Sequence, residues 1–394
     1  MTVDAFLAEV TVDQLDADPF PVYARLRDEA PVAYVPCVDT WFVTRYADVA
    51  HVAEHPDDFP ASHGESPVEV TFGKPTLITV DGPEHHDLRR AFDPNFRPRR
   101  VLEYVDDIVR PLAQEYSAAL SDSDRADLMS VYFEPISVRS LAGVLGIGDV
   151  DVPTLRRWFH GMNLGATNFE RDPVKQAEAD AVCAEVDALV VPRLEALKEA
   201  PDDSTMSHLL HAGTDSPRAI EQVLPSLKVA ILGGMQEPGH ACGTVLCGLF
   251  GEPEQWDLVR RDPQTHLADA VEEGLRWVAP IGTQFRTAAR DVELAGAVIP
   301  AGAGVSAVLA SANRDRAVFG VDADRFDLTR SHKNQAAFGF GKHFCSGHAF
   351  ARQQMRIALE VLLTEHPDLR PDPDRAPRWR GWEFRAPVEL PVLL

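Results

Sequence analysis

A glycine-rich loop around Cys345 carries the clearest chemistry in the sequence. The loop reads Phe338-Gly-Phe-Gly-Lys-His-Phe-Cys-Ser-Gly347. Glycine lets a backbone approach a flat ligand where a Cβ would collide with it. A helical pattern begins directly after Cys345, so the sulfur lies at a helix N-terminus, where amide groups favour the thiolate. His343 lies two residues before the sulfur and can hydrogen-bond an anionic group of the same ligand.

The other cysteines give no sign of a disulfide framework or a zinc site. Cys37, Cys183, Cys242 and Cys247 are scattered, and no two cysteines form a CxxC pair. An odd number of dispersed cysteines is typical of reduced thiols in an intracellular protein. We therefore expect Cys345 alone to act as a ligand.

Most of the chain has the periodicity of amphipathic helices. Apolar residues recur at three- and four-residue spacing in most segments, and the last fourteen residues read as extended. The stretch 292–309 alternates in polarity around Pro-Ala-Gly, which predicts a hairpin. Helices are expected at about 20–30, 44–55, 83–92, 99–120, 130–146, 152–165, 173–199, 253–261 and 265–278.

The longest helical pattern, at about 218–250, is apolar on most faces and must cross the core. Its middle reads GGMQEPG, which an ordinary core helix would avoid. Pro238 has no backbone N–H and cannot donate to the carbonyl of Gly234. We therefore expect this helix to open or kink at that point.

The charge balance excludes some classes of partner. The 394 residues carry 61 acids and 38 lysines plus arginines, a net charge of −23. Nucleic acid needs a cationic face, so we expect no nucleic-acid partner. The acidic N-terminus does not resemble a signal peptide, and no apolar run reaches the roughly 20 residues needed to span a bilayer. We expect a cytoplasmic protein without a membrane partner.

The pattern FGxGxHxCxG resembles the haem-binding loop of the cytochrome P450 family at every defined position. The resemblance extends from about residue 12 to 394. It implies a cytochrome P450 fold, mostly α with small β-sheets, as one triangular-prism-like domain over residues 1–394. It also implies haem b, with Cys345 as the iron ligand and Phe338, His343 and Gly347 as cofactor contacts.

Other motifs follow the family's order. Glu273 and Arg276 form an ExxR that resembles the family's buried ion pair, and Arg325 matches its usual third member. The HxxxR of His85 and Arg89 resembles the pair that holds the haem propionates, although the adjacent His86 could take the place of His85. Arg286 matches the family's other propionate arginine.

The oxygen-side helix departs from the family. The family pattern [AG]-G-x-[DE]-T-[ST] is replaced by Gly233-Gly-Met-Gln-Glu-Pro238. An amide thus stands in place of the acid, and an acid in place of the alcohol. We expect Gln236 and Glu237 to deliver protons, and to permit the use of H2O2 as well as O2. The alternative is a tolerated variant without chemical effect.

Three segments, 9–36, 70–82 and 381–390, together with GGMQEPGH, are similar to bacterial aryl-O-demethylases of the guaiacol and syringol type. This resemblance implies O-demethylation of small lignin-derived methoxyphenols to a catechol-type product and formaldehyde. The implied pocket residues are Phe72, Ile78, Ala166, Phe169, Val229, Gly233 and Phe384, for each of which ordinary core packing is the alternative.

One wall position differs from that group. Ala166 stands where the group has an aromatic side chain, and Phe169 could compensate if its loop shifts. The smaller side chain leaves room for a second methoxy group, so we expect a syringol-like substrate to be preferred over guaiacol.

Basic residues gather near the thiolate loop in an otherwise acidic protein. They are Arg89, Arg90, Arg97, Arg99, Arg100, Lys342, Arg352 and Arg356. In the family, the cysteine-side face receives the electron donor, so we expect an acidic reductase or ferredoxin to dock there by electrostatic steering. A solvated arginine-rich helix is the alternative, and electron transfer that does not respond to salt would contradict steering.

Two other functions remain open. The chain could be a family member that hydroxylates a natural-product intermediate, which the haem-binding loop does not exclude. It could also be a haem sensor or carrier, although mere binding needs no proton relay. Soret shifts and formaldehyde release with methoxyphenols would separate these functions.

Overall fold

The computed structural model describes residues 2–61, 66–330 and 334–394, most of them in helices. A π-helical turn, Met129–Phe133, and three 3-10 turns, Pro36–Val38, Asp93–Phe96 and Gly341–His343, add to the α-helices. The α-helices of the described residues are α1 (Val3–Leu7), α2 (Val12–Ala17), α3 (Phe20–Glu29), α4 (Tyr46–Glu54), α5 (Pro67–Phe72), α6 (Gly82–Phe92), α7 (Pro98–Leu120), α8 (Glu134–Leu145), α9 (Val152–Ala166), α10 (Pro173–Glu199), α11 (Thr205–His211), α12 (Ile220–Met235), α13 (Glu237–Gly251), α14 (Pro253–Arg261), α15 (Pro263–Trp277), α16 (Leu309–Ala312), α17 (Arg316–Phe319) and α18 (His348–Glu365).

The strands are short and form small sheets, which confirms the predicted fold class. In the described ranges they are β1 (Val32–Val35), β2 (Thr40–Val43), β3 (Arg125–Asp127), β4 (Gln284–Thr287), β5 (Val292–Leu294), β6 (Ala297–Ile299), β7 (Gly304–Ala307), β8 (Arg370–Pro371), β9 (Arg378–Arg380), β10 (Ala386–Glu389) and β11 (Pro391–Leu393). The sheets have the orders β1-β2-β7-β4, β3-β11-β8, β10-β9 and β5-β6.

The stretch 292–309 is a hairpin only in its first half. β5 and β6 pair antiparallel, with Val292 opposite Ile299. β7 instead pairs with β2 in parallel and with β4 antiparallel. Val305 and Ala307 of β7 are fully buried, and burial in the central sheet explains why this strand leaves the hairpin.

Helix α13 lies at the centre of the main hydrophobic core, in contact with α8, α15 and α18. Small residues allow the close approach, since a Cβ added at Gly248 would lie 2.2 Å from the ring of Phe326. No helix in the described part of the chain is both long and apolar enough to cross a membrane. That the whole chain forms a single domain stays a prediction.

The predicted opening of the long helix is confirmed. α12 ends at Met235 and α13 begins at Glu237, and Gln236 between them has φ −107° and ψ −25°. Because Pro238 has no N–H to donate backwards, the regular hydrogen-bond series stops here. The N–H of Gly239 instead donates to the hydroxyl of Ser137 on α8, 3.3 Å away.

A buried ion pair fixes α15 to the segment that leads to the thiolate loop. The guanidinium of Arg276 donates twice to Glu273, at 2.7 Å each. It also donates to the carbonyls of Asn313, Ala323 and Arg325, at 2.7 to 2.9 Å. The side chains of Arg276 and Glu273 are 1% and 4% exposed, so the ExxR pair has the buried position that the sequence predicted.

The third member of this network is not the one expected. The side chain of Arg325 is 68% exposed and pairs with Glu252 at 2.9 Å, so only its backbone carbonyl reaches Arg276. Arg330, 8% exposed, contacts the Glu273 carboxylate at 3.4 Å. Both arginines lie in one loop, and the fold turns Arg330 inward, where it also donates to the Phe319 carbonyl.

The two arginines should differ in their effect on stability. Removing one partner of a buried ion network typically costs about 3 kcal/mol or more, so Arg330→Ala should lower the free energy of unfolding by about that amount. Arg325→Ala is the matched control and should leave the urea midpoint nearly unchanged. Urea unfolding at equal haem content measures both, and a larger loss for Arg325→Ala would contradict the assignment.

Candidate active site

A cavity of about 380 Å³ lies between the thiolate loop and the break of the long helix. Mostly apolar side chains line it, and its volume is within the range of small-molecule sites. It brings together most of the residues predicted from the sequence, which are Phe72, Ile78, Arg89, Ala166, Phe169, Val229, Gly233, Glu237, Arg286, Phe338, His343, Cys345, Gly347 and Phe384.

The thiolate loop is closed by a backbone hydrogen bond from the N–H of Cys345 to the carbonyl of Phe338, at 2.9 Å. Gly339 and Gly341 have φ values of +71° and +64°. These glycines therefore serve the left-handed turns of the loop, where a Cβ is unfavourable. Helix α18 begins just past the sulfur, with Gly347 as its N-cap.

Burial and hydrogen bonding act oppositely on the Cys345 thiol. Burial raises its pKa, while the backbone N–H of Gly347 and the charge of Arg89 favour the thiolate. Burial is the larger effect, so the helix N-terminus alone does not ionise the sulfur as the sequence suggested. A thiol that coordinates a metal loses its proton.

Histidine and arginine side chains with free polar atoms gather beside the loop. The rings of His85 and His343 are 4.1 Å apart, and Nε2 of His343 contacts the Asp81 carboxylate at 2.9 Å. Three buried atoms have no hydrogen-bond partner among the described residues: Nε2 of His85, Nδ1 of His343 and Nη2 of Arg286. Buried donors are normally satisfied, so these atoms indicate a place for an anionic group.

Burial lowers the pKa values of two members of this group. Burial lowers the pKa of His85 to about 4, and the charges of His343 and Arg89 act in the same direction. Burial also lowers the pKa of Arg286 to about 10, while Asp81 opposes the shift. A carboxylate placed among these groups would favour their protonated forms.

Arg89 is held differently from its expected role. Its Nε donates to Asp93 at 2.8 Å, and its Nη1 donates to the Phe344 carbonyl at 2.9 Å. Arg89 still lines the cavity. However, its Nε and Nη1 donors are used to hold Asp93 and the thiolate loop. The two candidate histidines also differ, since His85 is buried and His86 is exposed.

Glu237 lies in the first turn of α13 and lines the cavity. Its Oε2 accepts from the backbone N–H of Gln236 at 3.2 Å, and its Oε1 has no partner in the described part of the chain. Burial raises the pKa of Glu237 to about 7, although nearby His240 and two backbone amides lower it. The carboxyl group can therefore give up or take a proton near neutral pH.

Gln236 does not share this position. It is fully buried, its side-chain nitrogen and oxygen lack partners among the described residues, and it is not part of the cavity wall. Its contribution to Glu237 is the backbone N–H. The expected side-chain pair is therefore reduced to one carboxyl group at the cavity.

The predicted substrate walls differ in character. Phe72 is 3% exposed and Ala166 is 6% exposed, whereas Ile78 is 42% exposed. The segment before Ile78 is held by the Leu77 N–H, which donates to the hydroxyl of Ser226 on α12 at 3.1 Å. Phe169 lines the cavity and also packs on Trp382, with ring centroids 5.6 Å apart.

Gln284 and Glu383 are among the polar wall residues that were not predicted from the sequence. Gln284 lines the cavity and its Oε1 is buried without a partner among the described residues. Glu383 accepts from the Thr283 hydroxyl at 2.7 and 2.8 Å, and burial raises its pKa to about 7. Both flank predicted residues, but no local motif marks a buried polar atom in an apolar wall.

The basic cluster near the thiolate loop is partly neutralised. Arg90 pairs with Asp87, Arg100 with Glu103, and Arg352 with Glu272. The remaining exposed cations are Arg97, Arg99, Lys342 and Arg356. The cationic surface is therefore smaller than the sequence suggested.

Comparison with known proteins decides the family. The sequence model described as Cytochrome P450 matches residues 264–378. Cytochrome P450 130 of Mycobacterium tuberculosis is 31% identical over 392 residues, which cover 95% of this chain and 94% of the relative. This chain belongs to the cytochrome P450 family. Nocardicin C N-oxygenase of Nocardia uniformis subsp. tsuyamanensis is 33% identical, over 96% of both chains.

Solved cytochromes P450 share the fold. The structure of the myxobacterial cytochrome P450 CYP267B1 in complex with myristic acid matches with a TM-score of 0.87 and 28% identity, over 98% of both chains. These relatives support the family, and they do not support the narrower assignment to aryl-O-demethylases.

Cytochromes P450 bind haem b through a cysteine thiolate, and the residues of this cavity fit that cofactor. The sulfur of Cys345 is available as the iron ligand. The unpartnered atoms of His85, His343 and Arg286 suit the propionates, because a buried carboxylate needs charged donors. The chain is a cytochrome P450 monooxygenase.

The two adjacent histidines should have different effects on haem retention. His85→Gln removes a buried nitrogen that faces the proposed propionate site, and should release haem several-fold faster to an apo-haem acceptor. His86→Gln is the matched control and should behave as the unchanged protein. Haem content and transfer rates measure this, and the reverse order would assign the contact to His86.

Proposed function

We propose that this cytochrome P450 O-demethylates small methoxyphenols, with a second methoxy group tolerated on the ring. The observation that carries the proposal is the cavity wall, in which Phe72 and Phe384 supply aromatic faces and Ala166 supplies a small side chain. Aromatic rings pack well against a planar apolar substrate.

The proposed reaction oxidises the methoxy carbon of the substrate. The methoxy carbon, dioxygen, two electrons and two protons give a hemiacetal and one water, and the hemiacetal collapses to the phenol and formaldehyde. Haem held by Cys345 would supply the activation of dioxygen, because a thiolate ligand favours O–O cleavage. The electrons come from a donor protein, which we propose docks near Arg97, Arg99, Lys342 and Arg356.

The chain's own residues position the ring and move protons. Apolar walls exclude water from the methoxy carbon, which protects the reaction from side products. Glu237, which lines the cavity and whose Oε1 has no partner among the described residues, holds the transferable proton. We assign proton delivery to this carboxyl group, in place of the alcohol that the family pattern has here.

Hydroxylation or N-oxygenation of a different substrate is the second candidate. It is favoured by a relative, nocardicin C N-oxygenase, that is named for another reaction. A panel of methoxyphenols tested for Soret shift and formaldehyde release decides between the two. Tight binding and formaldehyde release support O-demethylation, and the absence of both would overturn it.

Glu237 should govern the pH dependence of turnover. Its pKa of about 7 means that the acid form predominates below pH 7, so dioxygen-driven product formation should fall as pH rises from 6 to 8. In Glu237→Gln this dependence should vanish and product per electron should fall about tenfold. Product, electron and peroxide assays across this pH range measure it.

Peroxide-driven turnover should depend on the same carboxyl group. Glu237→Thr restores the family's alcohol and should reduce the peroxide-driven rate by about tenfold, because general acid catalysis is lost. Unchanged peroxide kinetics in this variant would remove the proposed role in peroxide use.

The side chain at position 166 should set the ring substituents that fit. Ala166→Phe should weaken binding and turnover of a dimethoxyphenol by about tenfold and favour guaiacol, because one aromatic side chain fills the space of a methoxy group. Ala166→Val is an intermediate control. Spectral titration and formaldehyde release measure the order, and tighter binding of guaiacol by the unchanged protein would contradict it.

A further inference from the structure

Two buried side-chain atoms of α13 have no hydrogen-bond partner among the described residues. One is Oε1 of Glu237, and the other is Nδ1 of His240, one helical turn further along. Residues three apart on a helix share a face. The positive charge of His240 lowers the pKa of Glu237, so the two groups are close enough to interact.

The second ring nitrogen of His240, Nε2, lies near a carboxylate of helix α8. Its Nε2 lies 3.8 Å from Oε1 of Glu134, at the start of α8, and the two side chains are 12% and 8% exposed. Glu134 also forms an ion pair with Arg156 of α9, whose side chain is 32% exposed. His160 follows one turn later on α9 and is exposed.

The charges along this line suit proton movement. Burial opposes ionisation of Glu134, but the nearby side chains of His240, Arg156 and His160 outweigh it and lower the pKa of this carboxyl group. Glu134 is therefore a carboxylate at neutral pH, and it lies beside Nε2 of His240. A buried carboxylate and imidazole need such pairing to remain in the core.

We propose that His240 and Glu134 form a path that returns protons from solvent to Glu237. A water bridging Oε1 of Glu237 and Nδ1 of His240 satisfies both unpartnered atoms. After Glu237 gives its proton to the reaction, His240 passes one through this water. His240 is then reprotonated from solvent at the Glu134, Arg156 and His160 end, so one proton enters for each proton consumed.

This path rests on the proposed role of Glu237 and does not depend on the identity of the substrate. His240→Gln and Glu134→Gln keep side-chain size while removing proton transfer. His266→Gln on α15 and Glu115→Gln, whose partner is Arg139 on the surface, are matched controls. Any substrate that shifts the Soret band serves as the probe.

The test compares turnover by dioxygen and by hydrogen peroxide. In both path variants we expect product per electron to fall at least about threefold, peroxide release to rise and the solvent isotope effect to increase. Peroxide-driven turnover should stay within about twofold of the unchanged protein, because H2O2 brings its own protons and needs only the local carboxyl group. The control variants should behave as the unchanged protein.

Three outcomes would overturn the path. The first is that product per electron and the solvent isotope effect do not change in His240→Gln. An equal fall of dioxygen- and peroxide-driven turnover, or loss of haem, is the second and indicates a packing role. The third is full coupling in Glu237→Gln, which refutes the role of Glu237 itself. If product per electron falls in Glu237→Gln but not in His240→Gln, the path is refuted and the role of Glu237 stands. If Glu134→Gln does not fold, His240→Gln decides.

Discussion

The active site depends on one missing hydrogen bond, which Pro238 cannot donate to the carbonyl of Gly234. A continuous helix across the core would present a regular wall to the cavity. The interruption instead restarts the helix at Glu237 and places an acid in its first turn. Ser137 accepts the hydrogen bond from Gly239 on the opposite side, so the opening is stabilised by neighbouring structure rather than left to solvent.

The buried charged groups of the protein fall into two classes, those with hydrogen-bond partners for nearly all their polar atoms and those without. Glu273 and Arg276 have partners for almost every donor and acceptor, and they hold elements together. The group of His85, His343 and Arg286 retains atoms without partners among the described residues, and two of its members, His343 and Arg286, line the cavity. Since an unpaired buried polar atom costs free energy, a folded protein retains it mainly where a ligand completes the pairing.

The sequence was most informative where the relevant atoms are close along the chain. The thiolate loop, the ExxR pair and the helix break each depend on neighbours within about one or two helical turns, and the structure has them as expected. The sequence was least informative about whether a long side chain points to solvent or into the core. Arg325 and Arg330 lie in one loop, and only tertiary packing shows that Arg330 turns inward. The pairing of Glu134 with His240, from distant segments, has no local signature.

The room in the cavity beside Ala166 depends on side chains rather than on the position of α9. α9 cannot move outward to compensate for a larger residue at its end, because its glycines already lie against other helices. A Cβ at Gly165 would lie 2.5 Å from Thr71 and 2.6 Å from Ala179, and one at Gly161 would lie 2.4 Å from Val182. With the helix fixed in this way, any volume added at Ala166 must be taken from the cavity or from its neighbours. A framework shared across the family can therefore hold different substrates through single wall residues, which is why membership of the family defines the chemistry before it defines the substrate.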